Sequence, residues 1–139
     1  MMSGIKGRDT KIELLVRKAL HARGLRYRLH NRSLPGRPDM AFASRKTVVF
    51  VNGCFWHGHD CPLFRLPASN TEFWRLKIGA NRERDLRSQA ALTTLGWRSA
   101  VVWECAMRGE AAIDFPVLVN LLEDWIRSDQ SDREFRGTL

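Results

Sequence analysis

The chain has 139 residues, enough for one domain with a sizeable core that needs no disulfides. Its 23 Lys and Arg against 15 Asp and Glu leave a formal charge of +8, which favours a polyanionic partner, nucleic acid first. No span approaches the roughly 20 apolar residues that cross a bilayer, and no leader-like apolar stretch opens the chain, so a membrane role is excluded and a cytoplasmic, reducing location is expected. There the three cysteines, which cannot all pair with one another, bind metal or stay as thiols.

Ile12, Leu15, Val16, Ala19 and Leu20 recur at helical spacing, which predicts an amphipathic helix over about residues 10–23, stopped by Gly24. A short extended stretch at 26–29 leads into NRSLPGRPD, whose Pro and Gly content reads as an irregular loop entering a strand at Asp39. DMAFA and TVVFVNG then form a hairpin through Ser44, Arg45 and Lys46, and the second strand is apolar enough to be central. A helix follows over 71–95 with Gly79 as its weak point and Gly96 as its stop, then the buried strand WRSAVVWEC and a helix over 115–127. This order implies an α/β fold: a mixed central sheet flanked by helices. A single domain over 1–139 is expected, with its core at about 10–127 and frayed ends through Lys6 and after Ser128.

The chemistry concentrates in NGCFWHGHDC, residues 52–61. Cys54, His59 and Cys61 lie within eight residues, and Cys105 arrives at the end of the later strand, so four ligands could close a tetrahedral zinc site. Such a full set leaves no open position for substrate, which makes the metal structural; the alternative is that the thiols are small buried hydrophobes. His57 is left over, either an acid or base near neutral pH or a surface imidazole. Asp39 and Glu13 are candidate oxygen ligands for a hard cation such as Mg²⁺. Thr10 and Glu13 also fit a capping box, and Asp after Pro is an ordinary turn residue. Phe55 and Trp56 flank the metal loop, while Trp74, Lys77 and Asn81 share one face of the second long helix, a mixture suited to stacked bases and phosphates or to core packing. Arg75, Arg82, Arg84 and Arg87 alternate with Glu72, Glu83 and Asp85, as on a solvated face.

Taken together, SLPGRPD (33–39), VVFVNGCFWHGHDC (48–61), LPASNTEFWRLKIGANRERD (66–85) and LGWRSAVVWECAMRG (95–109) resemble the very short patch repair (Vsr-type) endonucleases. The resemblance implies a restriction-endonuclease-like core with a structural zinc site. It also implies a Mg²⁺-dependent enzyme that nicks one strand of duplex DNA at or near T:G mismatches left by deamination of 5-methylcytosine. Position by position, Asp39 matches a metal-binding aspartate, Glu13 a glutamate that holds the Mg²⁺ cluster through water, and Val51 a residue whose backbone carbonyl contacts the metal. His57 matches the catalytic histidine, and Cys54, His59, Cys61 and Cys105 match the zinc ligands. Phe55, Trp56 and Trp74 match aromatics that wedge into the duplex, and Lys77 and Asn81 match polar residues near the mismatched pair. Asn52 stands where the family's type member has a second histidine, and only 12 residues precede Glu13 where relatives often carry a longer arm. Asn cannot exchange a proton near neutral pH. A monomer is expected, nucleoid-associated when bound to DNA in a bacterial cytoplasm, with mismatch-repair proteins as possible partners. The rival readings are a restriction or phage-defence nuclease on the same fold and a catalytically inactive DNA-binding module.

Overall fold

The computed structural model describes residues 10–138, so the expected fraying through Lys6 falls outside the described residues. Thr10 is extended and its hydroxyl accepts from Glu13 N at 3.3 Å, which caps helix α1, Lys11–Ala22. Val16 and Leu20 are buried on its inner face, with Ile12 and Ala19 beside them. Leu15, which periodicity alone assigns to that face, is 46 % exposed, because the buried line runs through Glu13, Val16 and Leu20 instead.

Strands β1 (Arg28–Leu29), β2 (Met40–Phe42) and β3 (Thr47–Asn52) pair antiparallel in sequence, the β2–β3 link being a short 3-10 turn. The long helix α2, Thr71–Thr94, passes through Gly79 unbroken and carries the chain over to β4, Arg98–Trp103, which lies parallel to β3. A parallel partner requires such a crossover. With a last strand β5, Arg133–Phe135, the sheet order is β1-β2-β3-β4-β5, a mixed sheet as expected.

Strand alternation sorts the side chains to two faces. Met40, Phe42, Val49, Val51, Ala100 and Val102 pack against Val16 and Leu20 of α1 and against Leu118, Leu122, Trp125 and Ile126 of helix α3, Phe115–Arg127. Ala41 and Val48 face the other way, toward Leu92 of α2, with Phe50 and Trp97 at their edge. Val101 and Trp103 of β4 cluster instead with Cys54 and Cys105, so the Cys/His loop roofs the C-terminal ends of the central parallel strands.

The segment after Ser128 is not a frayed end. It returns as β5, Arg133–Phe135, parallel to β4, and is tied down by Ser99 N donating to Asp132 Oδ1 at 2.8 Å and Trp125 Nε1 donating to Ser131 O at 2.8 Å. A three-residue strand with one apolar side chain carries too little pattern to be read from sequence. Phe135 is buried on the α1/α3 face, so Phe135→Ala is expected to cost about 3–5 kcal/mol in denaturant unfolding. A cost below about 1 kcal/mol would show that the strand contributes little beyond its backbone.

Candidate active site and metal centre

The pairing of Asn52 with Trp103 across the parallel strands sets the first half of the site. Two residues beyond each, Cys54 and Cys105 meet, and Cys105 N donates to Cys54 Sγ at 3.3 Å. The loop between Gly53 and Cys61 then folds His59 back, so that its Nδ1 lies 3.6 Å from Cys54 Sγ and 3.6 Å from Cys105 Sγ. A tetrahedral ion with sulfur at about 2.3 Å and nitrogen at about 2.0 Å requires S···N edges of roughly 3.5 Å, which these separations fit. Cys61 completes a cluster whose donor atoms all lie within 4.8 Å of one another. None of the three cysteines forms a disulfide.

The surroundings suit a cation. Burial pushes the Cys54 and Cys105 thiols up, so thiolates there need a positive charge, and it pulls the His59 imidazole down into the neutral form that ligates. Backbone donors support the sulfurs: Gly137 N reaches Cys105 Sγ at 3.3 Å from the returning C-terminal segment. The His59 ring stacks on Trp103 at 3.9 Å between centroids, and Arg136 holds Asp60 at 2.9 Å beside it. Gly58, at φ +58, lets the loop press on α2, where a Cβ would meet Ile78 at 2.6 Å and Arg82 at 2.8 Å.

On the other side of the loop, His57 Nδ1 sits 2.5 Å from Asp85 Oδ2 of α2, and its ring lies edge-on to Trp103. A carboxylate on Nδ1 keeps the proton there and leaves Nε2 as the acceptor. A second cluster forms where α1 meets the β1–β2 edge. Asp39 Oδ2 accepts from Val51 N at 2.6 Å, and Glu13, 1 % exposed, turns its carboxylate toward it. His30 Nε2 and Arg17 Nη1 approach Glu13 Oε2 at 2.6 Å and 3.3 Å. Burial pushes the Asp39 carboxyl up to about 8; the Val51 N–H pulls it back and the Glu13 charge adds to the rise. Two carboxyls this dry suit a bound cation. Thr10 thus caps α1 as the sequence implies, while the Glu13 side chain belongs to this cluster.

Phe55, Trp56 and Trp74 are half-buried, outside the three core clusters, and packed on one another with centroids 5.3–5.7 Å apart. Phe73, 59 % exposed, joins them edge-to-face with Trp74. Lys77 is exposed on the same stretch of α2, and Asn81 Nδ2 donates to Trp56 O at 3.0 Å, tying the loop to the helix. Asn52, the site of the family's second histidine, is buried at the end of β3 beside Trp103 and His57 in an open cleft of about 350 Å³.

The family described as DNA mismatch endonuclease Vsr matches residues 1–63. The DNA mismatch endonuclease Vsr of Escherichia coli (strain K12) is 48 % identical over 125 residues, covering 90 % of this chain and 80 % of that protein. This chain belongs to the Vsr family of DNA mismatch endonucleases. Type II nicking enzymes fall within the same similarity: V.XorIIP of Xanthomonas oryzae pv. oryzae at 48 % identity over 82 % of this chain and 84 % of the relative, and V.NmeAIP of Neisseria meningitidis at 44 % over 80 % and 79 %. Among the described residues, no helix of this Vsr-family chain is long and apolar enough to cross a membrane.

Sequence reasoning misses three residues that the fold brings to these candidate clusters. Asp85 reads as one more charge on a solvated helix, because its partner His57 lies 28 positions away and only the fold joins them. His30 sits in an unpatterned loop entry, and its proximity to Glu13 depends on the two-residue strand β1. Phe73 neighbours Trp74 in sequence, and that adjacency was the available signal.

Proposed function

We propose that this protein nicks one strand of duplex DNA at or near T:G mismatches formed by deamination of 5-methylcytosine, acting as a monomer in the cytoplasm on a restriction-endonuclease-like core. The observation that carries the reading is the dry Glu13–Asp39 pair, with Asp39 anchored on Val51 N, in a Vsr-family chain whose His57 is oriented by the Asp85 carboxylate. In this reading Asp39, the Val51 carbonyl and Glu13 through water hold Mg²⁺, and Cys54, His59, Cys61 and Cys105 hold a structural zinc that fixes the loop carrying His57. Bound Mg²⁺ supplies charge neutralisation at the phosphate oxygens. His57 Nε2 takes the proton from the attacking water as its oxygen bonds to phosphorus, and Asp85 stabilises the imidazolium that results. The P–O bond to the leaving sugar oxygen breaks, and that oxygen takes a proton from solvent. Phe55, Trp56 and Trp74, with Lys77 and Asn81, engage the mispaired step, with mismatch-repair proteins as candidate partners.

Labelled duplexes that differ only in carrying T:G, C:G or an unrelated site, incubated with Mg²⁺ or EDTA, test this. Mg²⁺-dependent, strand-specific nicking of the T:G duplex is expected. Cleavage of fully paired DNA would instead make the protein a restriction-type nuclease, and binding without cleavage an inactive module.

The aromatic wedge has its own test. Separating base pairs costs a few kcal/mol of stacking, and that cost is smaller at a mispaired step. The half-buried Trp56 ring packs on Phe55 and Trp74 outside the core clusters, so Trp56→Ala should lower stability by only about 1 kcal/mol while removing the preference for T:G over C:G. A loss of roughly 3–5 kcal/mol, as for a core Trp, would overturn the wedge assignment.

A further inference from the structure

Beyond the two carboxylates, one nitrogen donor faces the same point. Leu29 pairs with Met40 in the β1–β2 ladder, and the next residue, His30, donates its backbone N–H to Asp39 O at 3.2 Å. At that position φ is +47, which turns the chain out of the strand and carries the imidazole inward, where its side chain is 16 % exposed. Nε2 then lies 2.6 Å from Glu13 Oε2, and the donor atoms of Glu13, His30 and Asp39 all fall within 4.8 Å of one another. Glu13 has Arg17 as a counter-charge from its own helix, so charge balance alone does not require a histidine there. Two donors at about 2.1 Å from one octahedral ion are roughly 3 Å apart along an edge, so a cation fits between Nε2 and the carboxylates with little movement of either.

We infer that His30 Nε2 is a direct ligand of the divalent cation held by Asp39 and Glu13, and that it makes this site favour Mn²⁺ over Mg²⁺. This rests on the reading of those carboxylates as a cation site. Imidazole is a borderline donor that suits Mn²⁺ and later transition ions, whereas Mg²⁺ prefers oxygen and keeps its waters. To ligate, His30 carries its proton on Nδ1 and turns the Nε2 lone pair to the ion. Its 2.6 Å contact with Glu13 Oε2 then becomes a coordination edge, which puts Glu13 on the ion directly instead of through water.

The test is Mn²⁺ binding to zinc-loaded protein followed by electron paramagnetic resonance, with Mg²⁺ measured by competition. Wild type is expected to bind one Mn²⁺ that shows coupling to a directly bound imidazole nitrogen, at least about tenfold tighter than Mg²⁺. His30→Gln should remove the nitrogen coupling and weaken Mn²⁺ about tenfold or more, yet change Mg²⁺ by less than about threefold. Asp39→Asn should weaken both ions. Mn²⁺ that depends on Asp39 but shows no nitrogen coupling overturns His30 as a ligand and leaves the carboxylate site standing. Binding indifferent to Asp39→Asn overturns both. The wild-type spectrum decides the ligand question without any variant, so a poorly folded His30→Gln does not block the test.

Discussion

Cys54→Ser is expected to lose the metal and leave a protein that is at most marginally folded at 37 °C. Cys54 is fully buried and lies at the centre of the cluster, receiving Cys105 N and facing His59 Nδ1. Structural zinc contributes about 10–16 kcal/mol in small domains at neutral pH, while a whole domain is stable by only about 5–15 kcal/mol. Losing that binding energy therefore removes most of the margin. The same substitution in metal-free protein is nearly isosteric and should cost little. Chelation thus separates the two readings of the thiols: wild type should melt far lower with a strong chelator, and the variant should not respond to it. A wild-type protein that holds no zinc by elemental analysis, or melts equally with and without chelator, would make the cysteines ordinary core residues.

The Cys/His cluster is legible because three of its members are neighbours in sequence, and the fourth follows a strand whose apolar pattern announces it. Only the register, Asn52 opposite Trp103, was needed to bring Cys105 across, and parallel pairing of two buried strands supplies it. Helices α1 and α2 are legible to within a residue or two because Gly24 and Gly96 mark their ends. Leu15 escaped because a helical stripe predicted from apolar residues alone cannot know that Glu13 will be buried beside Val16. Asp85 and His30 escaped for a different reason: each acts on a residue far away in sequence, and polar pairs of that kind leave no periodic trace. The C-terminal strand shows the same limit in the backbone, since Arg133–Phe135 is ordered by hydrogen bonds to β4 and by one buried ring rather than by its own pattern.

Asp39→Asn is expected to lower nicking by roughly a thousandfold, because several kcal/mol of cation-based charge stabilisation at the phosphate would go with the carboxylate. In metal-free protein DNA affinity should stay within about threefold, since Asp39 is a buried carboxyl and no phosphate anchor. The variant also has a stability signature. Asn keeps an acceptor for Val51 N, but it cannot ionise. In the folded wild type burial raises the Asp39 carboxyl from its ordinary 3.8 to about 8, so between those values the folded state binds more protons than the unfolded chain. Stability from this group is therefore complete below pH about 4 and lost as pH rises toward 8. Metal-free Asp39→Asn should match wild type near pH 4 and exceed it by up to about 5 kcal/mol near pH 8. Added Mn²⁺ or Mg²⁺ should close that gap by stabilising wild type alone, because an ion bound only to the folded state adds its binding free energy. A variant that nicks T:G duplex at the wild-type rate would remove Asp39 from the chemistry. One that is inactive but less stable than metal-free wild type at pH 8 would mean that the carboxylate is held by a fixed positive partner instead of waiting for a cation.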